Sequence, residues 1–267
     1  MTEPLGGWSN APLAYVLAEV RTELLADIKD HQTNLARNFR DEYPIQRTMH
    51  AAKVVAAGAQ FVLEPDQETA WEFATPDNRT GVILRTNGVV LHATSYIDSS
   101  DFLTRLQRVI EVLSKEVPSI YVSRLGLRYV DFIVPSANER PEEYTNPRMN
   151  PDLGLSDGSS DIVATSVASY RMPGGRLTLR YLRATGKPEL PPDLGTLALE
   201  PSPLMQAVKD DKHPTAILDT DRIMMCLPVE RLDPMRVRDQ FIQMHADVSR
   251  AFKTAITDHA RRVWGAK

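Results

Sequence analysis

Between residues 121 and 134 the chain reads Y-V-S-R-L-G-L-R-Y-V-D-F-I-V. Because strand side chains alternate, Leu125, Leu127, Tyr129 and Ile133 fall on one side, and Arg124, Gly126, Arg128, Val130 and Phe132 on the other. The pattern predicts a long central strand with one apolar side and two arginines flanking a glycine on the other. Upstream, residues 14–23 alternate as a strand. Residues 27–43 carry Ile28, Leu35 and Phe39 at helical spacing, and Pro44 forbids continuation. Strands are expected over 53–63 and 70–74, with Pro65-Asp66 as the loop between them.

Asn87-Gly88 has the composition of a type I′ hairpin turn. Used as the turn, it pairs Thr86 with Val89, Leu84 with Leu91 and Val82 with Ala93. Val82, Leu84, Val89 and Leu91 then share a core face, opposite a half-solvated face of Ile83, Arg85, Val90 and His92. Ser99 or Ser100 is expected to cap the next helix, whose apolar stripe is Phe102, Leu106, Val109, Ile110 and Leu113, ending before Pro118.

Residues 135–160 read mostly as loop, with a short helix near 141–144. Strands over 162–172 and 176–184 flank Pro173-Gly174-Gly175. With Gly174-Gly175 as the turn, Tyr170, Met172, Leu177, Leu179 and Tyr181 share one face, and Ser169, Arg171, Thr178 and Arg180 the other. Six prolines between 186 and 214 predict a long loop with at most a helical turn over 204–209. A strand follows over 215–227. Asp233 and Pro234 then open a helix carrying Phe241, Met244, Val248, Phe252 and Ala255, expected to run nearly to Trp264.

Set end to end, residues 1–118 and 119–267 have the same order: strand, helical or loop segment, several strands, closing helix. R-T-G-V-I-L-R-T aligns with G-G-R-L-T-L-R-Y, and V-V-L-H-A-T-S-Y with A-I-L-D-T-D-R-I. The expected fold is therefore α+β: two duplicated halves forming one compact unit with a continuous antiparallel sheet, helices on one face, and loop 186–214 inserted in the second half. Two unrelated α+β halves would be the alternative. The order resembles the helix-grip class, which includes the saddle of the TATA-binding protein. A closer resemblance rests on A-P-L-A-Y-V-L-A-E-V-R, W-E-F, V-I-L-R-T-N-G-V-V-L-H-A-T-S-Y, L-G-L-R-Y-V-D-F-I and I-L-D-T-D. These segments are similar to a sporadically distributed, uncharacterised bacterial family of comparable length. The resemblance implies a mobile toxin, immunity or phage-defence context and carries no catalytic residue over.

With 267 residues, a net charge of -4 and a pI near 5.9, no global basic field favours nucleic acid, and the apolar and basic concave lining of minor-groove binders is missing. Cys226, alone in its type and flanked as M-M-C-L-P, reads as a small buried hydrophobe. The opening M-T-E-P-L-G-G-W-S-N has no signal-peptide pattern, and no apolar run reaches membrane-spanning length, so a cytoplasmic location is expected. The histidines lack metal-ligand spacing, and no nucleotide, hydrolase or zinc-protease motif occurs.

Two groups of residues carry the functional expectations. Arg124, Arg128, Arg180 and Arg85 could clamp an anion or an acidic partner, because guanidinium forks bind carboxylate and phosphate bidentately. Asp219 and Asp221 project from one strand face, with Asp131 a third acid; they could hold Mg²⁺ or exchange protons, or neutralise Arg128 and Arg180 as a cross-strand ladder. In the loop, Leu197, Leu199, Leu204, Met205 and Val208 sit among prolines, and such residues dock either on a partner or on the sheet below. Taken together, these features suggest a non-enzymatic protein-binding module without cofactor or metal, open to self-association. Two other readings are an enzyme or anion binder at the Arg128, Arg180, Asp219 and Asp221 face, and a nucleic-acid binder using the arginines.

Overall fold

A computed structural model describes residues 8, 10–57, 60–136, 138–150, 163–194 and 198–265, with the backbone alone for 50–57 and 60–69. Its first half contains β1 (Leu13–Thr22), α1 (Ile28–Phe39), β2 (Ile45–Ala57), β3 (Gln60–Ala74), β4 (Thr80–Arg85), β5 (Gly88–Ala93) and α2 (Ser99–Glu116). The second contains β6 (Tyr121–Ile133), α3 (Pro141–Tyr144), β7 (Ala164–Met172), β8 (Gly175–Thr185), α4 (Pro203–Ala207), β9 (Pro214–Arg231), α5 (Pro234–Ala255) and α6 (Asp258–Val263). The fold is α+β. All nine strands form one antiparallel sheet in the order β2-β3-β4-β5-β1-β6-β9-β8-β7. No helix among the described residues is long and apolar enough to cross a membrane.

β1 and β6 lie together at the centre, where Val16, Ala18 and Val20 oppose Tyr129, Leu127 and Leu125. These side chains join the stripes of α1, α2 and α5 in the main core, so the alternation expected of the central strand holds. Each long helix is started by an aspartate. Asp98, rather than the serines after it, accepts from the Asp101 N–H of α2 at 2.8 Å; Asp233 accepts from Met235 and Arg236 in α5. α5 stops at Ala255, earlier than expected, and Thr257 caps the separate α6 by accepting from Ala260.

Both hairpins turn one residue before the expected position. Arg85 pairs with Gly88 around Thr86-Asn87, and Met172 with Gly175 around Pro173-Gly174. The reason is crowding from the adjoining strand: a Cβ at Gly88 would meet Val20 O at 2.3 Å, and one at Gly175 would meet Ile223 O at 2.1 Å. The glycines are therefore needed in the ladder. Because each register moves by two residues, the faces are unchanged, and Val82, Leu84, Val89 and Leu91 are buried as expected. Pro65-Asp66 is not a loop either. It lies within β3, where the pairing shifts between His50 and Ala52, as a strand without an N–H at one position requires.

The opposite sheet face, expected to be wet, is roofed. Residues 186–194 and 198–213 form a strap whose ends are tied by Gly186 N–H to His213 O at 2.8 Å and the Thr215 hydroxyl to Gly186 O at 3.1 Å. Its far end reaches the first half, where Glu200 N–H donates to Asn78 O at 2.7 Å and the Thr94 hydroxyl to Glu200 O at 2.6 Å. Met205 packs with Tyr15, Val130, Phe132 and Ile217, while Leu190, Leu194 and Leu204 add partly buried surface. Leu199 is buried and close to Gly81. The strap's apolar residues thus dock on their own sheet, leaving Leu199 and Met205 no surface for a partner; Leu197 lies outside the described residues. Ile83, Val90 and His92 are buried, correcting the half-solvated face.

Candidate functional site

Between sheet and strap lies a cavity of about 380 Å³, lined by Arg85, Arg124, Arg128, Arg176 and Arg180, by the acids Glu19, Glu72, Asp193 and Asp221, and by Tyr15 and His92. Apart from the strap's Asp193, neighbouring strands supply these side chains, because positions of like parity on β1, β3, β4, β5, β6, β8 and β9 point to one face. Gly126, directly opposite Glu19, leaves the floor open between Arg124 and Arg128. All four arginines expected at this face, Arg85, Arg124, Arg128 and Arg180, line it.

The most buried part is a fork on a fork. Arg128 Nε and Nη2 donate to the two Asp219 oxygens, each at 2.8 Å, while its Nη1 and Nη2 reach the strap's Asp193 at 2.6 and 3.0 Å. Arg180 Nη1 donates to Asp219 at 2.9 Å, and its Nη2 stands 3.8 Å from Asp221. Asp219 is fully buried, and both its oxygens accept from guanidinium groups, so its charge is neutralised by Arg128 and Arg180. No group of acids, histidines or cysteines suited to a metal occurs among the described residues. The cross-strand ladder between Arg128, Arg180 and Asp219 is therefore what the geometry contains. Asp131 does not join it, because its parity puts it on the helix side of β6.

Electrostatics follow from burial. Burial opposes ionisation of Asp193, but the hydrogen bonds and charge of Arg128 outweigh it and hold its carboxyl below the usual range. Asp221 is shifted the other way: burial and the charge of Asp219 raise it against the pull of Arg128 and Arg180. At the first-half end, burial again resists the charge of Glu72, which is held down by His92 and Arg47, at 3.0 and 2.9 Å. His92 Nδ1 meets the Tyr15 hydroxyl at 3.1 Å.

Not every donor is used. Arg124 pairs with Glu19, and Arg85 reaches the same carboxylate at 4.0 Å, yet the Nε atoms of Arg85 and Arg124 are buried without an acceptor. Arg176 makes no ion pair among the described residues and stands exposed at the rim. A buried guanidinium N–H without an acceptor is costly, so these donors point to an anion. Sequence reading missed Glu19, Glu72, Arg176 and Asp193. The first three carried the right strand parity and lacked only the identity of the neighbouring strands, whereas nothing local ties Asp193 to Arg128. Comparison with known protein families and with curated protein sequences finds no significant match.

Proposed function

We propose that this protein binds a small organic anion, bearing phosphate or carboxylate, between its sheet and its strap. The observation that carries the reading is the pair of buried Nε donors of Arg85 and Arg124 without an acceptor, with the exposed Arg176 beside them at the rim of the same cavity. Its size falls within the range of small-molecule sites. The roofing strap leaves no room for a duplex, which disfavours the nucleic-acid reading. Strand order also supports an internal duplication: stepping outwards from the central pair, β1-β5-β4-β3 is mirrored by β6-β9-β8-β7, with α2 matched by α5. In that scheme the strap stands where the first half has the turn between β4 and β5, so it is an addition specific to one half.

Inorganic pyrophosphate and citrate, titrated calorimetrically and by thermal unfolding, test the proposal. Binding should raise the melting temperature, and Arg85→Ala and Arg176→Ala should each weaken it by about tenfold or more, the effect of losing a charge-assisted hydrogen bond. No heat with either anion at millimolar concentration, or binding unchanged in both variants, overturns it.

One observation favours protein binding as a second reading. β7 is an edge strand with exposed Val167 and Tyr170, and with exposed Val163 just before it, a surface able to accept a further strand from a protein partner or a second copy of the chain. Val167→Lys should abolish such an association, read by sedimentation or co-purification, while leaving pyrophosphate binding intact.

A further inference from the structure

A second cavity, of about 340 Å³, opens on the helix side of the sheet, away from the arginines. Its floor is Tyr129 and Asp131 of β6 and Thr220 of β9; α5 contributes His245, Ser249 and Phe252, and the segment before α2 contributes Tyr96. Asp131 is the anomaly. Its residue is only 5% exposed, yet no described group donates to its carboxylate, and the charge acting on it is the like charge of Asp219 across the sheet. No lysine or arginine among the described residues lines the cavity. Arg222, on the same face of β9, is spent on Asp247 at 3.0 Å and on the carbonyls of Ile223 and Pro173.

Other polar atoms in the cavity are also unused. Thr220 Oγ1 and His245 Nε2 are buried without a partner, while His245 Nδ1 meets the Tyr129 hydroxyl at 3.1 Å and that hydroxyl meets Tyr96 at 3.2 Å. Apart from Asn10 and Ser249 the remaining walls are apolar or aromatic, with rings from Trp8, Tyr96, Tyr129 and Phe252. A lone buried carboxylate in a cavity walled by aromatic rings is complementary to a cation attached to an apolar body.

We infer that this cavity binds a small molecule consisting of an apolar body and one protonated amine, the ammonium group seated on Asp131. Thr220 Oγ1 and His245 Nε2 offer the remaining hydrogen bonds, and the aliphatic or aryl part lies against Phe252 and Leu13. The site is independent of the anion cavity on the opposite sheet face.

Occupancy is coupled to a proton. Burial, with Asp219 adding to it, pushes the Asp131 carboxyl up to about 8, so the empty site holds it protonated at neutral pH and the ammonium must displace that proton. The facing groups do not titrate there. Burial pushes His245 on α5 down to about 4, and burial with the neighbouring hydroxyl raises Tyr129. Tyr96 is likewise raised by burial, Thr220 and Ser249 are neutral, and Arg222 is paired with Asp247. Affinity for an amine should therefore rise about tenfold per pH unit from pH 6 towards pH 8 and then level off.

Hexylamine and 2-phenylethylamine are the probes, with 1-hexanol as the neutral counterpart, titrated calorimetrically at pH 6, 7 and 8. The expected result is amine binding that follows this pH rise, exceeds that of hexanol, is lost in Asp131→Asn, is lost in the cavity-filling Ser249→Leu, and is unaffected by pyrophosphate. Hexanol binding as tightly as hexylamine, amine binding retained in either variant, or no binding of either amine at pH 8 overturns the inference. Because Asp131→Asn keeps the side chain's shape, circular dichroism of that variant separates lost binding from lost folding.

Discussion

Replacing Asp131 by asparagine should stabilise the protein at neutral and alkaline pH and leave it nearly unchanged in acid. The folded state holds the Asp131 proton up to about pH 8, whereas in the unfolded chain it leaves near the ordinary value of roughly 3.9. Between those values unfolding releases a proton, so wild-type stability falls as pH rises, by about 1.4 kcal/mol per pH unit. The contribution is complete below the unfolded value and gone above the folded one. The whole window amounts to about 6 kcal/mol, and about 4 kcal/mol is lost by pH 7. Asparagine keeps the shape and does not titrate, so the variant should lack this slope; water entering the open cavity reduces the gain, and about 2 kcal/mol at pH 8 would suffice to see it. His245, pushed down to about 4, contributes stability present above its unfolded value and lost as pH falls towards 4. That contribution is common to both proteins and drops out of the difference. Urea unfolding followed by circular dichroism at pH 4, 6 and 8 measures the effect. A difference that does not vary with pH, or a variant less stable than wild type at pH 8, refutes the reasoning.

Arg128→Ala should cost about 3–5 kcal/mol in urea unfolding, because it strips a buried carboxylate of a bidentate partner; Arg180, which still reaches Asp219, keeps the loss towards the lower figure. Gly175→Ala, whose Cβ would lie 2.1 Å from Ile223 O, must push β8 from β9 and should lower the melting temperature by several degrees, on the order of 1–3 kcal/mol. Asp98→Ala removes the cap on the Asp101 N–H and should cost about 1 kcal/mol in the same assay.

Local pattern carried the chain a long way towards this structure. Alternation along 121–134 placed Leu125, Leu127 and Tyr129 in the core and Arg124 and Arg128 opposite them, because the two-residue period of a strand is a property of the backbone alone. It even placed Asp131 on the Tyr129 side, although the acid had been grouped with Asp219 and Asp221 on chemistry rather than parity. The faces of both hairpins were likewise legible, since moving a register by two residues changes partners and not sides. Exact turns were not, because Gly88 and Gly175 answer to the carbonyls of Val20 and Ile223 in neighbouring strands. Nor was the roofed face: the arginine side looked solvated until the strap, anchored at Asn78 and Thr94 and joined to Arg128 through Asp193, covered it. Which residues alternate, and that α5 begins at Asp233, was therefore determined by the sequence alone, through short-range sterics and hydrogen bonding, whereas the start of α2 lay one residue before the expected serines, at Asp98. The burial of Asp219, the enclosure of the arginines and the isolation of Asp131 were decided only by tertiary structure, because each depends on segments distant in the chain meeting in space and excluding water.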